Sequence, residues 1–452
     1  MWQPQLADAG QPLFLALLDA LDGDIQTGRL RAGDRLPPQR ELAHRLGLGV
    51  GTVTRAYAEA ERRGLIEGQV GRGSFVSARP EAPAGPIDLA RNLPPLAASG
   101  RALPLALERL SRRRDLLDAL LGYPPAAGDD GVRQALADWI RRTGNWPDLD
   151  GGRLIVCAGA QQGTALALAA ACRPGDAVLG EAATFHGLKT LSAQAGYRLL
   201  AGELDAEGLT PEALEIGAAQ GARAVYLLPV QNPTGRIMGL ERRQALLAIA
   251  RRHGVAVIED DLYAPYAAPL GLPPLAALAP DLVWHVTSLS KTLGPGLRTG
   301  CIVAPDDAGF ARALEALRAV AFGPPVFGPL VAAQWIVSGE ADRILAAGLD
   351  EVAARAVIAR QGLGGAVEAS PLAAPPHLWL PMGELDAERV AGRALRLGVE
   401  VTPPRAFFQD GAPVTGLRLC LGAESDRDRF EAGVGLLAQA LAPDGVHSRS
   451  LV

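Results

Sequence analysis

From Ile87 onward this chain of 452 residues repeats one pattern: a short apolar run, a turn, a helical stretch, then another apolar run. Residues 154–158, 177–180, 224–229, 255–259 and 284–287 are the apolar runs; 161–171 and 240–253 are helical stretches between them. Runs of this length are strands, and strands that are apolar throughout must be covered on both faces. The expectation is an α/β fold with a buried, mostly parallel sheet. Ligands in such folds collect beyond the carboxyl ends of the strands, so chemistry is sought there.

The first 77 residues follow a different pattern. Residues 12–28 read as an amphipathic helix, with Leu13, Ala16, Leu17, Ala20, Leu21 and Ile25 near helical spacing. A loop leads to a short helix at 39–46, a turn Gly47-Leu48-Gly49 and a second helix at 50–63. Two strand-like runs, 65–67 and 74–76, flank Gly71-Arg72-Gly73. That order is a helix-turn-helix with a β-hairpin wing. The net charge of −5 hides a local excess: residues 29–79 hold ten Arg against five acids. A positive front end suits phosphate backbones. Thr52, Thr54 and Arg55 open the second helix, whose N-terminal residues would face base edges in a major groove. Arg40 would lie near the backbone, and Arg72 marks the wing tip.

Residues 78–88 carry Pro80, Pro83 and Pro86 and read as a semi-extended spacer. Other classes drop out. Apolar runs such as 165–172 fall far short of the ~20 residues of a membrane helix. Residues 1–10 have no basic stretch and no apolar core, so no secretory signal is read and a cytoplasmic location is expected. Cys157, Cys172, Cys301 and Cys420 are scattered and form no CxxC pair, so no metal is expected.

The chemistry concentrates at strand ends. Lys291 follows the run 284–287 and could form a Schiff base if its amine is neutral. Only two of the 44 basic residues are lysines, Lys189 and Lys291. GC-rich coding accounts for the Arg bias, and against that background Lys291 stands where Arg could not serve, because guanidinium cannot act as an amine nucleophile; Lys189 reads as a surface residue. Arg298 suits a bidentate phosphate grip. Asp260 ends the run 255–259, Tyr263 follows it, and Asn232 lies in the turn after 224–229. Gly159-Ala160-Gln161 joins a strand to a helix N-terminus, where backbone amides bind phosphate.

The strings GRLRAGDRLPPQRELAHRLGL, GTVTRAYAEAERRGLIEG and GRGSFV give residues 11–77 a resemblance to the winged helix-turn-helix of the GntR regulators. One departure is Gly49-Val50-Gly51, where that family often has Ser-Arg. The strings AGAQQG, TFHG, QNPTG, EDDLY, SLSKTLGPGLR and GLRLCLG, in that order, make residues 88–440 similar to the fold-type I aminotransferases, which use pyridoxal 5′-phosphate. The resemblance implies an aminotransferase-like large domain over 89–452, with a smaller C-terminal α+β subdomain from about 325. It implies Lys291 as the aldimine lysine and Asp260 as the partner of the pyridine nitrogen. Asn232 and Tyr263 would bond the phenolic oxygen, and Phe185 would stack on the ring. Ala160, Gln161, Ser288, Ser290 and Arg298 would hold the phosphate. Tyr123 would reach the phosphate in the partner subunit of a homodimer. Arg418 would bind a carboxylate, and Asn92 would cross the substrate pocket.

The two halves together are similar to the MocR subfamily of bacterial regulators. That implies a regulator binding double-stranded operator DNA and sensing pyridoxal phosphate or an amino compound through aldimine chemistry at Lys291. A metabolic aminotransferase with an appended winged helix is the alternative, discriminated by steady-state transamination. A DNA-binding protein that uses no cofactor is a third reading.

Overall fold

The structure, a computed structural model, describes residues 2–4, 12–26, 29–62, 65–69, 72–77, 85–407 and 414–442. Most of the expected spacer, 78–84, lies outside them, as do residues 27–28, 63–64 and 70–71 at the edges of expected front elements. The chain divides into two compact units, Met1–Gly85 and Pro86–Val452.

The first unit holds helices α1 (Leu13–Gln26), α2 (Gln39–Leu46) and α3 (Val50–Arg62), then strands β1 (Ile66–Gln69) and β2 (Gly73–Val76). The strands form an antiparallel hairpin in which Ile66 faces Val76. The α2 helix stops at Gly47, whose φ of 65° is a conformation that only glycine adopts cheaply. Leu17, Leu21, Leu42, Val53, Tyr57, Ile66 and Val76 make one buried core. The Tyr57 hydroxyl, carried into that core, donates to the Pro37 carbonyl at 2.9 Å.

The second unit is built on a seven-stranded sheet. Its strands are β4 (Leu154–Cys157), β5 (Ala177–Glu181), β6 (Arg198–Gly202), β9 (Ala222–Leu227), β10 (Ala256–Asp260), β11 (Val283–Ser288) and β12 (Gly300–Val303). They run in the order β4-β12-β11-β10-β9-β5-β6. Only β12 is antiparallel to its neighbours. Two of the seven, β6 and β12, were not legible as apolar runs: β6 carries a half-exposed edge pattern, and β12 is only four residues and opens on Gly300. The small hairpin of β7 (Leu204–Asp205) and β8 (Gly208–Leu209) lies outside the sheet. Buried clusters cover both faces, with Val156, Val225 and Val257 on one side and Ile155, Tyr226 and Ile258 on the other.

A third core gathers Leu89, Leu378, Leu380, Leu417, Leu419, Phe430 and Leu437. It joins the antiparallel pair β13 (His377–Pro381) and β15 (Gly416–Cys420) to helices Glu384–Arg396 and Arg427–Leu441. Two expectations shift here. Ile87–Asp88, placed at the end of the spacer, is instead strand β3, paired in parallel with β14 (Val399–Glu400). The apolar Ile87 side chain is buried in this third core, which draws the segment out of the spacer. The subdomain boundary near 325 also moves. Helix Phe327–Val337 buries Leu330, Val331, Trp335 and Ile336 in the core of the large sheet. The 24-residue helix Glu340–Leu363 spans the change, with Ile344 in the first core and Val352 to Leu363 in the third. No described helix is long and apolar enough to cross a membrane.

Candidate functional site

The parallel strands place the expected residues along one edge of the sheet. Gly159 follows β4, Phe185 follows β5, Asn232 follows β9, Asp260 closes β10, and Ser288 closes β11. Lys291 ends the single turn Leu289–Lys291 after β11. Arg298 lies two residues before the antiparallel β12, so its backbone starts from the same edge.

Lys291 Nζ donates to the Asn92 carbonyl at 2.6 Å. Burial pushes its amine down from 10.5 to about 8, and the nearby Arg418 charge adds to this. Tyr266 donates to the Lys291 carbonyl at 2.6 Å and fixes that turn. Asp260 is buried, and burial raises its carboxyl to about 7 against the opposing hydrogen bond from Tyr226. Its Oδ2 accepts that bond from the Tyr226 hydroxyl, while Oδ1 has no partner among the described residues. Tyr263 is buried, and its hydroxyl receives the Asn92 Nδ2 donor at 2.6 Å.

Gln231 locks the turn that carries Asn232. Its Nε2 donates to Glu181 at 2.9 Å and to the Ala183 carbonyl at 2.6 Å, and its Oε1 receives both the amide and the hydroxyl of Thr234. Asn232 Oδ1 then accepts from Arg418 Nη1 at 2.9 Å. Arg418 Nη2 donates to the Ala90 carbonyl at 3.0 Å, and the guanidinium lies 4.6 Å from the Phe407 ring centre.

The phosphate-type loop is built on close approaches. Gly159 has φ 90°, and a side chain there would meet the Arg298 guanidinium at 3.1 Å. Arg298 donates to the Ala158 carbonyl and has φ 47°, a strained value for a non-glycine. Gln161 Nε2 donates to the Gly187 carbonyl at 3.1 Å, beside the half-buried Phe185. Ser288 Oγ caps the turn by accepting from the Ser290 amide at 3.4 Å. Ala160 is the first residue of the helix Ala160–Ala171. Tyr123 is apart from this group: it is 86% exposed and packs on Phe322 at 4.9 Å.

Four contributors were missed. Ala90 acts through its carbonyl, and a backbone group leaves no signal in a sequence. Thr402 Oγ1 also donates to Ala90, at 2.8 Å. Tyr226 reads as core within an apolar strand. His377 is buried against Tyr263, its rings 5.6 Å apart, and neither of its nitrogens has a partner among the described residues.

In the first unit Arg40 and Arg72 are exposed, and Thr52 is half-buried. Thr54 Oγ1 donates to Gln39 at 2.8 Å, tying α3 to α2. Arg55 lies 4.0 Å over the Phe14 ring of α1, so part of its surface serves the fold.

Residues 84–433 match the aminotransferase class I and II family, and residues 15–76 match the bacterial regulatory proteins of the gntR family. The chain belongs to the MocR subfamily of GntR-type regulators. This MocR-type chain is 31% identical over 431 residues to the vitamin B6 salvage pathway transcriptional repressor PtsJ of Salmonella typhimurium, covering 91% of this chain and 95% of that one. It is 28% identical to the HTH-type transcriptional regulator YdeF of Bacillus subtilis, covering 97% and 96% of the two chains. The kynurenine aminotransferase of Pyrococcus horikoshii shares the fold of its second unit, with a TM-score of 0.70, 22% identity and coverage of 79% and 91%. The MocR-type chain is thus a DNA-binding transcriptional regulator, and pyridoxal 5′-phosphate is the cofactor of its aminotransferase-like unit. The donor set fits that group. Asp260 offers one open, buried carboxylate oxygen, the complement of a protonated ring nitrogen. A Cβ at Gly187 would overlap Gln161 Oε1 and the Phe185 ring at 2.1–2.3 Å, so the glycine is what lets these two side chains close on the turn together.

Proposed function

We propose that the chain is a cytoplasmic homodimeric regulator whose affinity for operator DNA responds to pyridoxal phosphate, or to an amino compound, at Lys291. The observation that carries this reading is the Lys291 amine. It is buried, hydrogen-bonded to the Asn92 carbonyl, drawn toward neutrality and within electrostatic reach of Asp260, in a chain that also carries a winged helix.

When bound, pyridoxal phosphate supplies an aldehyde that condenses with primary amines and a ring that withdraws electrons. The chain's own residues do the rest. Lys291 provides an amine that is partly unprotonated near neutral pH. Asp260 Oδ1 would accept the ring N–H and hold that proton in place. Asn232 and Tyr263 would orient the phenolic oxygen, and Phe185 would lie on the ring face. The Ala160 and Gln161 amides, with Ser288, Ser290 and Arg298, would hold the phosphate. Arg418 would take the carboxylate of an amino-acid-like effector, with Asn92 closing the pocket beside it. Arg40, Thr52, Thr54, Arg55 and Arg72 would meet operator DNA.

The exposed side chains of Leu121, Tyr123 and Phe322 support a dimer, because large apolar patches usually mark an interface. Tyr123 would then reach the partner subunit's phosphate site.

The deciding experiment is footprinting on the promoter beside the protein's own gene, with and without pyridoxal phosphate and amino acids. Protection that changes with either ligand in the wild type, and not in Lys291→Ala, supports the reading. Protection indifferent to both ligands overturns it. Steady-state transamination with a keto acid would favour a metabolic enzyme instead.

A further inference from the structure

Tyr226 has no surface to explain it. It is 0% exposed, next to the C-terminal end of β9, where the neighbouring apolar residues would suit a phenylalanine. A buried hydroxyl is costly unless it is hydrogen-bonded. Its partner is Asp260 Oδ2. Register explains the meeting. In the parallel pair β9–β10, Tyr226 stands opposite Ile258, and Asp260 follows two residues later. Side chains two apart on a strand share a face, so the Tyr226 ring reaches Asp260 along that face.

The bond divides the carboxylate. Oδ2 is taken by the hydroxyl; Oδ1 has no partner among the described residues. A carboxylate free to rotate would present either oxygen, and one free of the tyrosine bond would be more basic. The charged and titratable groups around Asp260 are Tyr226 from β9, Asp261 and Tyr263 from the stretch after β10, His285 from β11 and Lys291 from the turn beyond it. The Tyr226 hydrogen bond works against the rise that burial imposes on Asp260.

We propose that Tyr226 is a positioning residue for Asp260: by donating to Oδ2 it aims Oδ1 at the ring nitrogen of pyridoxal phosphate and favours the ionised carboxylate that receives it. The proposal rests on the reading that the cofactor binds at this site.

The test uses the full-length protein and Tyr226→Phe, which removes one oxygen and keeps the ring. Cofactor affinity is measured by absorbance titration across pH. A hydrogen bond to a charged group is worth ~1.5 kcal/mol, about tenfold in affinity. The expected result is a roughly tenfold weaker Kd for pyridoxal phosphate, with the acid limb of the binding profile moved to higher pH. In the Asp260→Ala background the same substitution should have little further effect, because the two residues act through one bond. Additive losses would mean that Tyr226 only supports the fold, and would overturn the proposal. So would a Tyr226→Phe protein with an unchanged Kd and acid limb. A wild-type protein that binds no pyridoxal phosphate would overturn the underlying reading. Wild type and Asp260→Ala binding equally would remove Asp260, and Tyr226 with it.

Discussion

Arg418 Nη1 donates to Asn232 Oδ1 at 2.9 Å, so a residue expected to bind an effector is hydrogen-bonded to one expected to bind the cofactor. The same guanidinium is held on its other side by Ala90 and Thr402, while its buried Nε has no partner among the described residues. A fork fixed in this way favours a planar carboxylate, and lysine cannot reproduce it. Arg418→Lys should therefore weaken the response to amino acids at least tenfold, taking one charged hydrogen bond as ~1.5 kcal/mol or more. The measurement is the absorbance change of cofactor-loaded protein on titration with an amino acid and with the matching amine that has no carboxylate. Equal losses for both ligands would rule out a carboxylate role.

A second prediction concerns pH. Lys291 is lowered from 10.5 to about 8, first by burial and then by Arg418. Both effects disfavour the charged form, and only the neutral amine attacks a carbonyl. The rate of covalent cofactor incorporation should thus rise with pH and level off above about 8. Removing the Arg418 charge relieves one of the two effects, so Arg418→Ala should move the midpoint to higher pH. Rapid mixing of cofactor-free protein with pyridoxal phosphate reads both, and borohydride reduction should then fix the label on the peptide containing Lys291.

Gly187 supplies a steric prediction. A Cβ there would meet Gln161 Oε1 at 2.1 Å and the Phe185 ring at 2.3 Å. Gly187→Ala must displace one of them, and such overpacking costs ~1–3 kcal/mol. Lower Tm and about tenfold weaker cofactor binding are expected. Gly435→Ala is the control: it is helical, exposed, and has no atom within 4 Å of the new methyl. It should keep full cofactor affinity and gain slightly in stability from helix propensity.

What the sequence conveyed follows a physical division. Helices α2 and Leu240–His253 begin and end where their patterning places them, because a glycine stops each one. The placement of Lys291, Asp260 and Asn232 at strand ends was legible because the strands before them are continuous apolar runs. Ile87–Asp88 was not, since its partner strand lies more than 300 residues away and no local pattern encodes that pairing. The Ala90 carbonyl carries no side-chain signal at all. Tyr226 looks like a packing residue in sequence; only the β9–β10 register reveals the partner of its hydroxyl.

The last prediction separates DNA contact from folding in the first unit. Arg40 and Arg72 are exposed, on α2 and beside the wing. Each phosphate contact adds about one to the slope of log affinity against log salt. Arg40→Ala and Arg72→Ala should each weaken operator binding across all sequences and lower that slope by about one. Arg55 differs because its guanidinium stacks 4.0 Å over Phe14. An exposed contact of that kind is worth ~0.5–1 kcal/mol, so Arg55→Ala should destabilise the first unit while lowering the slope by less than either of the others. Binding isotherms at several salt concentrations, with thermal melts of the same full-length proteins, read both quantities. A full unit of slope lost in Arg55→Ala, with no change in melting, would make Arg55 a phosphate contact and not a brace between α3 and α1.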